Sequence, residues 1–80
     1  MESNQRIARQ VGAALRRVRE RQKRQQHRVA AAAGISPGLL SAYEDGRQLA
    51  SVAALIAILT VLDCSAEDFG RHLGPWGCLP

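Results

Sequence analysis

Aromatic side chains are nearly missing: one tyrosine, one phenylalanine and one tryptophan occur in 80 residues. Tyr43, Phe69 and Trp76 cannot build a core alone. The alanine, leucine, valine and isoleucine that dominate instead favour helices packed through small aliphatic groups, so an all-α fold is expected. Cysteine is scarce too, and Cys64 and Cys78 are too few for a disulfide scaffold; both are read as ordinary thiols of a reducing compartment. A zinc site built from Cys64, His72 and Cys78 would lack a fourth ligand. No apolar run opens the chain across Met1 to Gln10, so no secretion signal is read and a cytoplasmic protein is expected. The longest apolar stretch, residues 49–62, falls short of the roughly 20 residues that span a bilayer, which leaves a buried helix and no membrane partner. His27 and His72 lie on different elements, with no nucleophile and orienting group beside them, which argues against an enzyme. Nothing in the chain calls for a cofactor or a small-molecule ligand.

Acidic residues are rare in one part of the chain only. Residues 1–28 carry nine lysines and arginines against Glu2 and Glu20, a balance of +7, while the remainder carries Arg47 and Arg71 against five acids, a balance of −3. A strongly basic end on a chain of net charge +4 suits a polyanion, because neutralising phosphates releases condensed counterions. A domain this small buries only roughly 60–65% of its unfolded surface, so its core is thin.

Five helices can be read from periodicity and caps. Ile7, Val11, Ala14, Leu15 and Val18 line one face of a first helix over about residues 5–23, with arginines on its other faces. A second pattern covers residues 25–33, with Val29, Ala30 and Ala33 inward and Gly34 as a left-handed terminator. Ser36 offers an N-cap and Pro37 suits the first position of a third helix, which turns Leu40 and Tyr43 inward and runs to about Glu44, where Gly46 stops it. Ser51 caps a fourth helix, Val52 to Leu62, ended by Asp63. Ser65 caps a fifth, with Asp68 as the acidic member of a capping box, closed by Gly74 and Pro75, and Trp76 is expected to fold back on the body. Residues 1–5 form an arm, 6–73 the folded domain and 74–80 a tail. Helices two and three are joined across only Gly34 and Ile35, a joint short enough to hold them at the steep angle of a helix-turn-helix.

Gln26, Val29-Ala30, Ala33-Gly34-Ile35-Ser36, Leu40-Ser41, Tyr43-Glu44 and Gly46 together resemble the phage repressor and Cro (Xre-type) family over about Val11 to Phe69. The resemblance implies a five-helix, lambda-repressor-like domain that binds double-stranded DNA and regulates transcription. It implies that Gln26 clamps a phosphate and buttresses the recognition helix, which spans residues 36–44 and lays its N-terminal end in the major groove. It also implies a partly buried structural ion pair between Arg19 and Glu44. Where the family has glycine, leucine and a hydroxyl residue before the glutamine, this chain has Lys23, Arg24 and Gln25. Helix one is therefore expected to run on or bend differently, bringing extra positive charge to the DNA backbone.

The outward positions of the recognition helix are Ser36, Pro37, Gly38, Leu39, Ser41 and Ala42, of which only the serines can hydrogen-bond a base edge. Modest sequence preference is expected, with affinity supplied by Arg16, Arg17, Lys23, Arg24, Gln25, Gln26, Arg28 and Arg47 at the backbone and by DNA shape. Helix four is apolar nearly all round. Val52, Leu55, Leu59 and Leu62 make one stripe for the domain's own core, and Ala54, Ile58 and Val61 make a second that a symmetry mate would cover, giving a homodimer. An internal contact with helix five or Trp76 is the other way to cover it. The alternative function is a helix-turn-helix domain used as a protein-binding adaptor or antitoxin-like module, since its recognition helix is small and apolar.

Overall fold

A computed structural model describes residues 2–73 of the chain. Among the described residues there are five helices and no strand: α1 (Glu2–Arg21), α2 (Gln26–Ala33), α3 (Pro37–Glu44), α4 (Val52–Val61) and α5 (Ala66–His72). The N-termini of three helices are closed by serine hydroxyls. Ser36, Ser51 and Ser65 accept hydrogen bonds from the amides of Leu39, Ala54 and Asp68 at 3.1, 3.1 and 3.0 Å, each satisfying one donor that the first helical turn leaves unpaired.

The C-termini repeat one device. At Gly34 and at Gly46 the chain turns left-handed, with φ of 77° and 75°. The amide after each glycine reaches back five residues, Ile35 to Ala30 at 3.0 Å and Arg47 to Ala42 at 3.0 Å. The same closure recurs with side-chain-bearing residues at the turn. Lys23 and Asp63 have φ of 55° and 53°, and Arg24 and Cys64 donate to the carbonyls of Arg19 and Leu59 at 3.2 and 3.0 Å. The expectation that α1 runs on past a missing glycine is thereby corrected: α1 ends at Arg21, and Lys23 takes up the conformation a glycine would have. At the other end α1 starts at Glu2, so residues 2–5 are helical where an arm is read from the sequence.

The core gathers Ala14, Leu15 and Val18 of α1, Val29 and Ala30 of α2, Leu40 and Tyr43 of α3, Ile58, Leu59 and Leu62 from α4 and its cap, and Phe69 of α5. α1 packs against α3 and α5, and α2 packs against α3 and α4. α4 turns a different face inward from the one the sequence suggested. Ile58 is 0% exposed whereas Val52 is 74% exposed, so the buried stripe is Leu55, Ile58, Leu59 and Leu62, and Ile58 cannot belong to an interface with another copy. Val61 and Ala54 are half-buried against the same core. With no polar side on α4 the apolar pattern has no phase, which is why periodicity could not choose between the two stripes.

In α5 the expected capping box is half formed. Asp68 donates its amide to Ser65, but its carboxylate accepts from Arg71 Nη1 at 3.2 Å. The expected terminator Gly74-Pro75, the fold-back of Trp76, Cys78 and the tail 74–80 lie outside the described residues.

Candidate nucleic-acid interface

Two short helices meet at a corner built from three consecutive residues. Gly34 turns left-handed, Ile35 is half-buried against the core, and Ser36 caps the next helix. A β-branched anchor between a glycine and a capping serine fixes both the direction and the start of α3. The helix therefore leaves the body N-terminus first. Ser36, Pro37 and Gly38 are exposed and Leu39 and Ser41 are half-buried, while Leu40 and Tyr43 enter the core. Ala42 is 9% exposed and packs inward, so it is removed from the set of outward positions.

The far end of α3 is locked. Glu44 is 4% exposed, and its carboxylate is held from two helices. Arg19 donates Nε to Oε2 at 2.7 Å and Nη2 to Oε1 at 3.0 Å, and Gln26 donates Nε2 to Oε1 at 3.0 Å. The hydrogen bond to Glu44 raises the Arg19 guanidinium pKa above its already high value, against the opposing effect of burial. Arg19 also donates Nη1 to the Arg24 carbonyl at 2.8 Å, so one side chain ties α1, the turn after it and the end of α3. Arg19 thus acts within the fold. Gln26 has one amide hydrogen committed to Glu44 and serves as a strut between α2 and α3.

Around this frame lie the basic residues, sorted by the structure into three groups. Lys23, Arg24, Gln25 and Arg28 line a cleft of about 400 Å³ at the start of α2. Gln25 is the N-cap of α2 but makes no side-chain cap bond, so the N-terminus of that helix has no side-chain acceptor and its dipole is uncompensated by an acidic residue, a setting that favours an anion. Within this group Arg24 is also occupied elsewhere: its Nη1 donates to the Val61 carbonyl at 2.5 Å, beside the bond from Gln22 Nε2 to the Leu62 carbonyl at 2.6 Å. These two side chains close the C-terminus of α4.

Arg16 and Arg47 form the second group, at the C-terminal end of α3, bridged by Asp45. Arg16 Nη2 lies 2.6 Å from Asp45 Oδ1 and Arg47 Nη2 3.2 Å from Oδ2, and Arg47 also reaches Ser41 Oγ at 3.5 Å. The hydrogen bond from Arg16, and then that from Arg47, hold the Asp45 carboxyl below its ordinary range.

Arg17 makes the third group and is not brought to this site. One residue along α1 from Arg16, it is rotated by about 100° and donates Nη2 to the His72 carbonyl at 2.8 Å, where it closes the end of α5. The roles of Asp45 and Gln22 have no local signal in the sequence: Arg16, which Asp45 bridges to Arg47, and Leu62, whose carbonyl Gln22 reaches, lie 29 and 40 residues away.

The fold and site define an all-α helix-turn-helix module whose second helix is presented by its N-terminus. Residues 10–73 match the profile of the family described as "Helix-turn-helix domain", and the chain belongs to that family. Comparison with curated proteins and with solved structures gives no match. Membership points to a DNA-binding regulator and away from an enzyme. Among the described residues no helix is long and apolar enough to cross a membrane, and no group of three or more His, Cys, Asp or Glu could hold a metal ion.

Proposed function

We propose that the protein is a transcription regulator of the phage repressor and Cro (Xre) type that binds double-stranded DNA as a homodimer in the cytoplasm. The N-terminal end of α3, Ser36 to Leu39 with Ser41, enters the major groove. Lys23, Arg28 and the amides of α2 grip one phosphate strand, assisted by Arg24, Gln25 and Gln26, and Arg16 and Arg47 meet the backbone beyond the other end of α3. The observation that carries this reading is the polarity of α3: its C-terminal end is locked by Glu44 and bordered by the cationic groups at the start of α2 and around Asp45, while its capped N-terminal end is exposed and uncharged. Base reading is economical. Ser36 and Ser41 accept and donate promiscuously, and Leu39 can touch a thymine methyl, so discrimination per base pair is modest and duplex shape carries part of it.

The test is a gel shift on random and on pool-selected duplexes at two salt concentrations. For six to ten phosphate contacts, affinity falls roughly 10³- to 10⁵-fold between 50 and 200 mM salt. Reversing charge with Lys23→Glu and Arg28→Glu abolishes the shift while leaving the circular dichroism spectrum intact, since both side chains are exposed and make no hydrogen bond or ion pair among the described residues. Binding that ignores salt rejects the reading.

A second reading keeps one observation in its favour. The first turn of α3 presents exposed Pro37 and Gly38 beside half-buried Leu39, a small surface with no charge that could dock on another protein in an adaptor or antitoxin-like role. That reading expects no shift of random duplex at any salt.

A further inference from the structure

Among the described residues three large hydrophobic side chains are left exposed: Leu49 at 47%, Val52 at 74% and Ile56 at 59%. Val52 and Ile56 are four apart on the outer side of α4, where that spacing makes them neighbours, and Leu49 lies in the loop three residues before the helix begins. Three further observations say what covers this apolar stripe. Residues 48–62 contain no charged side chain, in a protein whose net charge is +4. Ala53, beside the stripe, is exposed and Ala57 half-buried, so nothing bulky holds a facing helix away. Thr60, the next position along the same side, already donates its hydroxyl to the Ile56 carbonyl at 2.7 Å, so it can be covered without stranding a donor.

We infer that this stripe is the contact between two copies of the chain, paired about a two-fold axis through Leu49, Val52 and Ile56. A partner of opposite charge would be drawn to the arginines of α1 and α2, where attraction is available, and gains nothing from a neutral face. A second copy, itself cationic, is repelled by those same surfaces and meets no like charge here. An isologous contact needs a self-complementary patch, and an uncharged aliphatic stripe complements itself. The placement also suits the proposed dimer. Leu49 follows Glu44 by five residues, a reach of at most about 17 Å. Pairing across the stripe therefore keeps the two α3 helices within a few tens of ångströms, the scale of the roughly 34 Å between major grooves on one face of a duplex. This inference deepens the homodimer of the proposed function and names its face; it does not depend on DNA for its test.

The experiment is sedimentation equilibrium of the full chain without DNA, at micromolar concentration and at low and high salt. The wild-type protein sediments as a dimer, and its association holds or tightens as salt rises, because the contact is apolar and screening removes the repulsion between copies. Val52→Asp and Ile56→Asp each weaken association at least roughly 30-fold, the loss typical of a central interface side chain. Both retain the wild-type helical spectrum as monomers, since neither position is in the core, and their melting temperature falls only by what association supplies and no longer varies with protein concentration; Ile56→Leu keeps the dimer. A monomeric wild type, a dimer that dissociates with salt, or a dimer unaffected by both Asp variants overturns the inference. A dimer that binds no duplex leaves the inference standing and removes the DNA reading, and a monomer that binds duplex does the reverse.

Discussion

A methyl group placed on Gly12 would lie inside van der Waals reach of the Tyr43 carbonyl oxygen and 2.8 Å from that of Glu44. α1 and α3 therefore cross backbone against backbone, and the crossing sets the angle at which α3 leaves the body. Both obstructing atoms belong to the main chain of α3 and cannot rotate aside. Gly12→Ala, which raises intrinsic helix propensity by about 1 kcal/mol, is expected nonetheless to destabilise the fold by about 1–3 kcal/mol through overpacking. Urea unfolding followed by circular dichroism checks this; a variant as stable as wild type would mean that the helices do not touch at that point.

The carboxylate of Glu44 takes hydrogen bonds from two side chains of other helices while 4% exposed. Removing one member of such a buried pair leaves a charge without its partner, at about 3–5 kcal/mol. That is comparable with the whole stability of a domain below about 80 residues. Glu44→Ala and Arg19→Ala are each expected to leave the chain largely unfolded at 25 °C. Gln26→Ala removes one hydrogen bond and is expected to lower stability by about 1 kcal/mol. The pair replacement of Arg19→Met with Glu44→Leu is expected to recover most of the loss, because an apolar pair of similar volume needs no partner. Thermal melts of the four variants separate the outcomes.

How far the sequence could be read varies with how much polar contrast each segment carries. α1 and α2 set apolar positions against charged ones, so Leu15, Val18 and Val29 could be placed inward from spacing alone. The three serine caps and the glycine corner were legible because each rests on a local chemical requirement. α4 offered no contrast, and the stripe assigned to the core there exchanged Val52 for Ile58. At the turn after α1 the missing glycine suggested a different path. Yet two returning backbone hydrogen bonds, from Lys23 to Glu20 at 3.0 Å and from Arg24 to Arg19 at 3.2 Å, suffice to hold a lysine at positive φ. The basic residues were legible as a charge and not as a map. Adjacent arginines at 16 and 17 point to opposite helices, and which of them is free for phosphate depends on Asp45 and His72, far along the chain.

Asp45 is expected to act as a brake on nucleic-acid binding. It engages Arg16 and Arg47 together, so a phosphate approaching either arginine competes with a carboxylate already in place. Asp45→Asn removes that competitor and one negative charge from the interface. Affinity for duplex DNA is expected to rise about fivefold at low salt, the effect of one like charge a few ångströms away in water, with the gain fading as salt screens it. Stability carries the opposite sign. The folded Asp45 carboxyl titrates below its ordinary value of 3.8, chiefly through the Arg16 hydrogen bond, so the folded state binds this proton less readily than the unfolded one. Its contribution is full above the ordinary value and is lost as pH falls through the lowered one. Asp45→Asn is expected to flatten that acid limb in urea unfolding across the range, and fluorescence anisotropy reads the affinity.

Lys23 and Asp63 occupy the same left-handed position after α1 and α4, and comparing them separates strain from charge. An L side chain at positive φ costs about 1–2 kcal/mol, and glycine removes this at the expense of about 0.5–1 kcal/mol of extra chain entropy. Lys23→Gly and Asp63→Gly are therefore both expected to stabilise the fold by up to about 1 kcal/mol, raising the melting temperature by up to roughly 4–8 °C for a domain of this size. Their effects on DNA binding should diverge. Lys23 lines the cleft at the start of α2, so its loss is expected to weaken binding alike for every sequence and to reduce the salt slope by about one per copy. Asp63 lines a different cleft, with Arg17 and Cys64, and carries no positive charge, so its replacement is expected to leave the slope unchanged. If both variants gain stability and only Lys23→Gly loses affinity, the lysine stands where a glycine would fold better because its charge is needed at the phosphates. Equal affinity for the two would place the DNA backbone away from the α1–α2 turn.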